Sequence, residues 1–177
     1  MLYDNAMSST FSPTGDDPAT AFAAHDHENC RSHALQAAVT LAERQGVRLT
    51  PVRRRTLEIL LESHRAMGAY DVLQRLAEEG FGSQPPVAYR ALDFLVEHGL
   101  AHRLQRLNAF AACLTPGHDH APVFLICRSC NRIAETDATQ IRAASDAAAA
   151  SAGFRVERMT IEALGLCDRC ATEDAAA

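Results

Sequence analysis

Residues 120–135 read HAPVFLICRSCNRIAE: an apolar run, Val123 to Ile126, delivers Cys127 and Cys130 at Cys-x-x-Cys spacing. A second pair, Cys167 and Cys170, completes a C-x2-C-x36-C-x2-C pattern. Two residues between cysteines let both thiolates of a tight turn face one point. Two such turns supply the four sulfurs of a closed, tetrahedral Zn2+ site. Disulfides, or two separate pairs of buried thiols, are the competing readings.

The neighbourhood of the first pair reads as a small α+β unit over 122–170. Ile133 and Glu135 indicate a return strand just past the first turn. Residues 138–151 are Ala-rich and helical, ended by Gly153. Residues 154–166 read as extended, with an alternation break at Glu157-Arg158 that suggests a bulge. They return the chain to Cys167, so zinc would staple the first and last strands, and 171–177 would be a tail. Upstream, residues 114–121 read as a hinge that carries His118 and His120.

Further toward the N-terminus the periodicity is helical. Residues 1–24 are Ser, Thr, Pro, Gly, Ala and Asp in no periodic order, a disordered acidic tail. His25, His27, Cys30 and His33 then introduce a helix; they could bind a metal or simply form its solvated entrance. Thr50-Pro51 is a helix start, N-cap followed by Pro at the first helical position. Arg48, Arg53, Arg54 and Arg55 gather there, to meet phosphates or water, with Arg54 spaced to pair with Glu58. A short helix begins at Ala69. Pro85-Pro86 opens another, VAYRALDFLVEH, whose outward arc carries Tyr89, Arg90, Asp93 and Glu97. A Tyr-Arg pair near the start of an outward face is what a major-groove helix presents. After Gly99 the period changes to two. A hairpin turning at Leu107-Asn108 would set His102 opposite Cys113, with Cβ atoms about 5 Å apart. Helices followed by such a hairpin make a winged helix over 25–113.

The whole chain has 177 residues, 47% of them hydrophobic, enough for one ordinary domain or two small ones. It opens MLYDNAMSST without a basic or apolar leader, and no apolar run reaches membrane length. A cytoplasmic location without a membrane partner is expected. Six cysteines there point to metal or redox chemistry rather than disulfides. The formal charge of −5 is unevenly spread: residues 31–106 carry eleven Arg against eight acids, while the first thirty residues carry acids only. A basic module beside acidic segments fits contact with nucleic acid. Every cation is Arg, from which no function is drawn.

The order Leu49-Thr50-Pro51-x-Arg53, Gly68-Ala-Tyr70-Asp71, Pro85-Pro-x-x-Tyr89-Arg90-Ala-Leu-Asp-Phe-Leu, a hairpin, His-x-His and two Cys-x-x-Cys pairs resembles the Fur family of metal-dependent repressors, and within it the branch that governs zinc uptake. The resemblance covers about residues 31–170. It implies a winged helix, an α+β dimerisation domain, a homodimer and an inverted-repeat operator in double-stranded DNA. It implies that Cys127, Cys130, Cys167 and Cys170 hold structural zinc, and that His102, Cys113, His120 and Glu135 hold a regulatory zinc, about two ions per chain. His118 is left as a further ligand or a bystander. Tyr89 and Arg90 match the family's DNA-reading pair, and Arg53 and Arg54 are candidate phosphate contacts.

Three other readings compete with a zinc-responsive repressor. A Fur-family sensor of iron, manganese or peroxide would share the fold; a ligand set containing the Cys113 thiolate suits Zn2+ better than iron or manganese. A thiol redox enzyme would open a helix with its Cys-x-x-Cys, whereas Cys127 and Cys130 lie between two strands, so no enzyme activity is expected. A zinc-storage protein would have no use for an outward Tyr89-Arg90 pair.

Overall fold

The computed structural model describes residues 21–22, 26–117, 122–137, 139–157 and 159–175. His25, His118 and His120 lie outside the described residues, as does most of the expected N-terminal tail. Within that tail, residues 21 and 22 form a 3-10 turn. Ala21 is buried, and Phe22 packs against the cysteine cluster described below.

Four helices build the first core: α1 (His27–Arg44), α2 (Pro51–Leu61), α3 (Ala69–Glu78) and α4 (Pro85–Glu97). Asp26 caps α1 through the Asn29 amide, and the Thr50 hydroxyl accepts from Arg53 N–H at the start of α2. Helix α4 begins at Pro85 and stops where Gly99 takes φ 68°, a value that favours glycine; the Leu100 amide then donates back to the Leu95 carbonyl at 2.8 Å. Leu57, Leu60, Val72, Leu76, Leu92 and Leu95 fill the space between these helices.

The hairpin β1 (Ala101–Leu104) and β2 (Ala109–Ala112) completes the winged helix. Its register differs from the expected one. His102 lies opposite Ala111 rather than Cys113, because the loop is residues 105–108, four residues long. Asn108 supplies the left-handed turn at φ 47°. The Gln105 and Arg106 amides of this loop donate to one carboxylate, Glu162, at 2.7 and 3.0 Å. That carboxylate draws both amides into the turn, a contact with no local signature. The shift is by two residues, so every side chain keeps its face. Cys113 sits one step past the ladder, and its amide donates to the Leu100 carbonyl at 3.1 Å. Glu162→Ala should lower stability by about 1.5–3 kcal/mol, the scale of a hydrogen bond to a charged acceptor, read by urea denaturation.

The second sheet has the order β4-β3-β5, from β3 (Pro122–Cys127), β4 (Ile133–Asp137) and β5 (Ile161–Gly165). β4 is antiparallel and β5 parallel to β3. The strand expected over 154–166 is confined to β5; residues 154–157 are irregular, and Arg158 lies outside the described residues. Helix α5 (Thr139–Ser151) is the crossover that a parallel pair requires. The expected tail after Cys170 is instead helical, as α6 (Asp168–Ala175).

One short segment stitches the two sheets together. Met67 pairs with Phe110 of β2 through two backbone bonds of 2.9 Å, and the His64 carbonyl accepts from the Ile133 amide at 2.9 Å. Leu104 and Ala111 of the hairpin pack with Phe124, Ile126 and Ile133 to close the seam. The segment also fixes where the hairpin stands relative to Glu135.

Candidate metal centres and nucleic-acid interface

The parallel β3–β5 register places Cys127 opposite Gly165, so both strands end on the same side of the sheet. The chain turns through Asn131, at φ 56°, to present Cys130, while α6 opens just after Cys167 and carries Cys170 in its first turn. One sulfur from each of Cys127, Cys130, Cys167 and Cys170 lies within 4.8 Å of the others, and all are free thiols. Cys130 and Cys167 are 3.9 Å apart. A tetrahedron of Zn–S bonds near 2.3 Å has edges of about 3.8 Å, so the quartet is the size of a zinc site.

Burial opposes ionisation of Cys127, yet the backbone amides of Cys130, Cys167 and Ser129 outweigh it and bring the thiol down to about 6. Cys170 moves the other way. The Ser129 hydroxyl favours its thiolate, but burial and the neighbouring Cys167, Cys130 and Cys127 thiols push it up to about 11. Four sulfurs this close cannot all ionise without a cation among them. Binding a dication therefore expels protons, and affinity rises with pH. Chelator stripping should be markedly faster at about pH 5.5 than at about pH 8; equal rates would show that the thiols are not the ligands.

A second cluster lies across the seam. His102 of β1, Cys113 just past β2 and Glu135 of β4 each offer a donor atom within 4.8 Å of the others. Glu135 Oε1 stands 3.2 Å from His102 Nε2 and 3.9 Å from Cys113 Sγ, while Oε2 accepts from the Leu114 amide at 3.3 Å. Glu135 is 4% exposed, the one buried ionisable acid among the described residues. Burial and then the Glu135 charge push the Cys113 thiol well above its usual range. A carboxylate and a thiol so enclosed favour a shared cation over two bare charges. The donor set of imidazole, thiolate and carboxylate fits Zn2+. His120, the expected fourth ligand, and His118 lie outside the described residues.

In the helical half, α4 presents Tyr89 and Arg90 to solvent, with Asp93 and Glu97 further along. Tyr70, in the first turn of α3, is 69% exposed and meets Tyr89 edge-on at 6.4 Å. Tyr70 has no signature in the sequence beyond its place at the start of α3. Arg53 and Arg90 border one cleft between the starts of α2 and α4. The Arg53 guanidinium lies 3.5 Å above the Phe94 ring and donates to the Arg48 carbonyl. Two other arginines of that cluster are already engaged. Arg54 pairs with Glu58 at 3.0 Å, and Arg55 bonds Glu79, Glu62 and Glu58. Glu79, beside Arg55, is held below its ordinary range.

The Ferric uptake regulator family profile matches residues 44–164. The chain belongs to this family. It is 34% identical over 142 residues to the zinc uptake regulation protein of Escherichia coli (strain K12), spanning 80% of this chain and 83% of that one. A zinc uptake regulator solved in complex with zinc and DNA superposes with a TM-score of 0.77 at 34% identity, covering 82% of this chain and 97% of the other. The holo form of XcZur gives 0.72 at 34% identity, covering 78% and 96%. Among the described residues no helix is long and apolar enough to cross a membrane.

Proposed function

We propose that this family member is a zinc-responsive, dimeric transcriptional repressor that reads an inverted-repeat operator through α4. The observation that carries the reading is the cluster of His102, Cys113 and Glu135, because it draws its ligands from both sides of the seam. His102 and Cys113 belong to the hairpin of the winged helix, and Glu135 to the second sheet. His120 is assigned as the fourth ligand, with His118 a further ligand or a bystander. When bound, the metal supplies the positive charge that the Glu135 carboxylate and a Cys113 thiolate lack. The three side chains would then hold hairpin and sheet at one angle, with two recognition helices set for successive major grooves. The four cysteines are assigned to a permanent zinc, a fold element rather than a sensor.

The dimer is supported by what the second half leaves uncovered. Helix α5 buries no residue, Ile141 and Phe154 are exposed, and the outer edge of β5 shows Leu164. Apolar surface along a free strand edge is what a second protomer covers. In this reading the cysteine pairs are ligands and not a catalytic dithiol. The second pair does open a helix, as redox pairs do, but the first pair closes onto it and completes a quartet.

The deciding experiment titrates zinc into dimer that retains its four-cysteine zinc, and measures binding to an inverted-repeat promoter fragment. The wild type should tighten by about 5–150-fold as further zinc binds, the usual range of allosteric coupling, and Cys113→Ser should not. A Cys113→Ser protein that switches like the wild type would place the sensor elsewhere. A wild type that responds to iron or manganese and not to zinc would move it to another branch of the family.

A further inference from the structure

A third set of ligand-type side chains converges away from both clusters. His27 and Cys30 are three residues apart on α1 and share a face. The helix start turns that face onto His64, in the segment that stitches the sheets. One donor atom from each residue lies within 4.8 Å of the others. Cys30 Sγ and His64 Nε2 are 3.9 Å apart, against about 3.6 Å for the sulfur–nitrogen edge of a tetrahedral zinc site. The rings of His27 and His64 have their centroids 4.7 Å apart. His27 Nε2 meets the Glu62 carbonyl at 3.0 Å; a carbonyl only accepts, so the neutral ring carries its lone pair on Nδ1. A backbone carbonyl orienting the second ring nitrogen is what metal-binding histidines usually have. His33, six residues past His27, has turned about 240° around the helix and is exposed.

We propose that His27, Cys30 and His64 form a third metal site, selective for zinc, with a fourth position open to water. Two imidazoles and a thiolate are a borderline-soft, zinc-type donor set. The cavity beside the site is lined by His27, Cys30 and His64 and, further along, by Glu135. Arg31 and Arg65 also border it, and Arg31 is paired with Glu28 at 2.9 Å. An ion here ties α1 to the segment whose His64 carbonyl already holds β4. With three protein ligands against four sulfurs, the site fills after the quartet.

Cobalt(II) is the probe, because a thiolate ligand gives it a near-ultraviolet charge-transfer band. The chain has six cysteines. With zinc kept in the quartet and Cys113 replaced by Ser, Cys30 is the only thiol left to produce that band. The full-length Cys113→Ser protein should take up about one cobalt with the band. Adding Cys30→Ser should abolish the band, and adding His64→Gln should weaken cobalt uptake at least tenfold. Both substitutions are part-exposed and conservative, and retained helical circular dichroism checks the fold. A Cys113→Ser protein that never develops the band overturns the site. So does a band that survives Cys30→Ser, or uptake unaffected by His64→Gln. No DNA is present, so the outcome is independent of whether the chain is a repressor.

Discussion

Cys127→Ala should cost the protein its second sheet. The loss should appear as one zinc fewer per chain in a chromophoric release assay. It should also appear as fast amide exchange at Leu125, Ile126 and Leu164. The magnitude follows from the ledger of a small domain. Structural zinc binding is worth about 10–16 kcal/mol in zinc-finger peptides, whereas a whole domain is stable by about 5–15 kcal/mol. Beyond the seam where Phe124, Ile126 and Ile133 meet the hairpin, the sheet has little else to fall back on. α5 buries nothing, and no residue of β5 is fully buried. The helical core is a separate cluster around Leu57, Val72 and Leu92, so far-ultraviolet dichroism should keep a cooperative helical transition after the sheet has loosened. Full zinc content and unchanged exchange in Cys127→Ala would mean that the quartet carries no structural load.

Arg90→Ala should weaken operator binding by about 1–3 kcal/mol, roughly 5–150-fold, and relax preference at one position of each half-site if the guanidinium forks onto a base. Tyr70 and Tyr89 stand edge-on beside it, which limits the directions the exposed face of α4 can present. Arg53→Ala should act differently. Its guanidinium stacks on Phe94 and bonds the Arg48 carbonyl, so thermal stability should fall together with affinity. Binding measured against salt separates the cases: a lost phosphate contact lowers the slope by about one unit. A uniform loss across all sequences, with that change in slope, would reassign Arg90 from base reading to the backbone.

Much of this architecture was readable because its determinants are local. Thr50-Pro51, Pro85 and Gly99 mark helix ends through caps and backbone limits that depend on neighbouring residues alone. The cysteine quartet was readable because two tight turns leave few other uses for such spacing. What escaped depends on partners far along the chain. The hairpin register turns on Glu162, more than fifty residues away, accepting the Gln105 and Arg106 amides. Arg55 looked like a free cation until Glu62 and Glu79 met it. His64 carried no spacing signal, since it lies in a loop and its companions His27 and Cys30 lie on α1. The helix that carries Cys170 has no signature of its own, because a short polar ending resembles a tail until the cysteine in its first turn is anchored.

The parallel pairing of β3 with β5 also sets a timetable for synthesis. β3 can form a hairpin with β4 as soon as residue 137 is made, but its other edge waits for residues 161–165. The four sulfurs cannot assemble until Cys170 has left the ribosome. Non-local parallel pairing is intrinsically slow and leaves strand edges open meanwhile. The winged helix, complete by Cys113, is therefore folded well before the half that would pair it with a second copy. A nascent chain stalled short of Cys170 would expose a finished DNA-reading surface without its zinc staple.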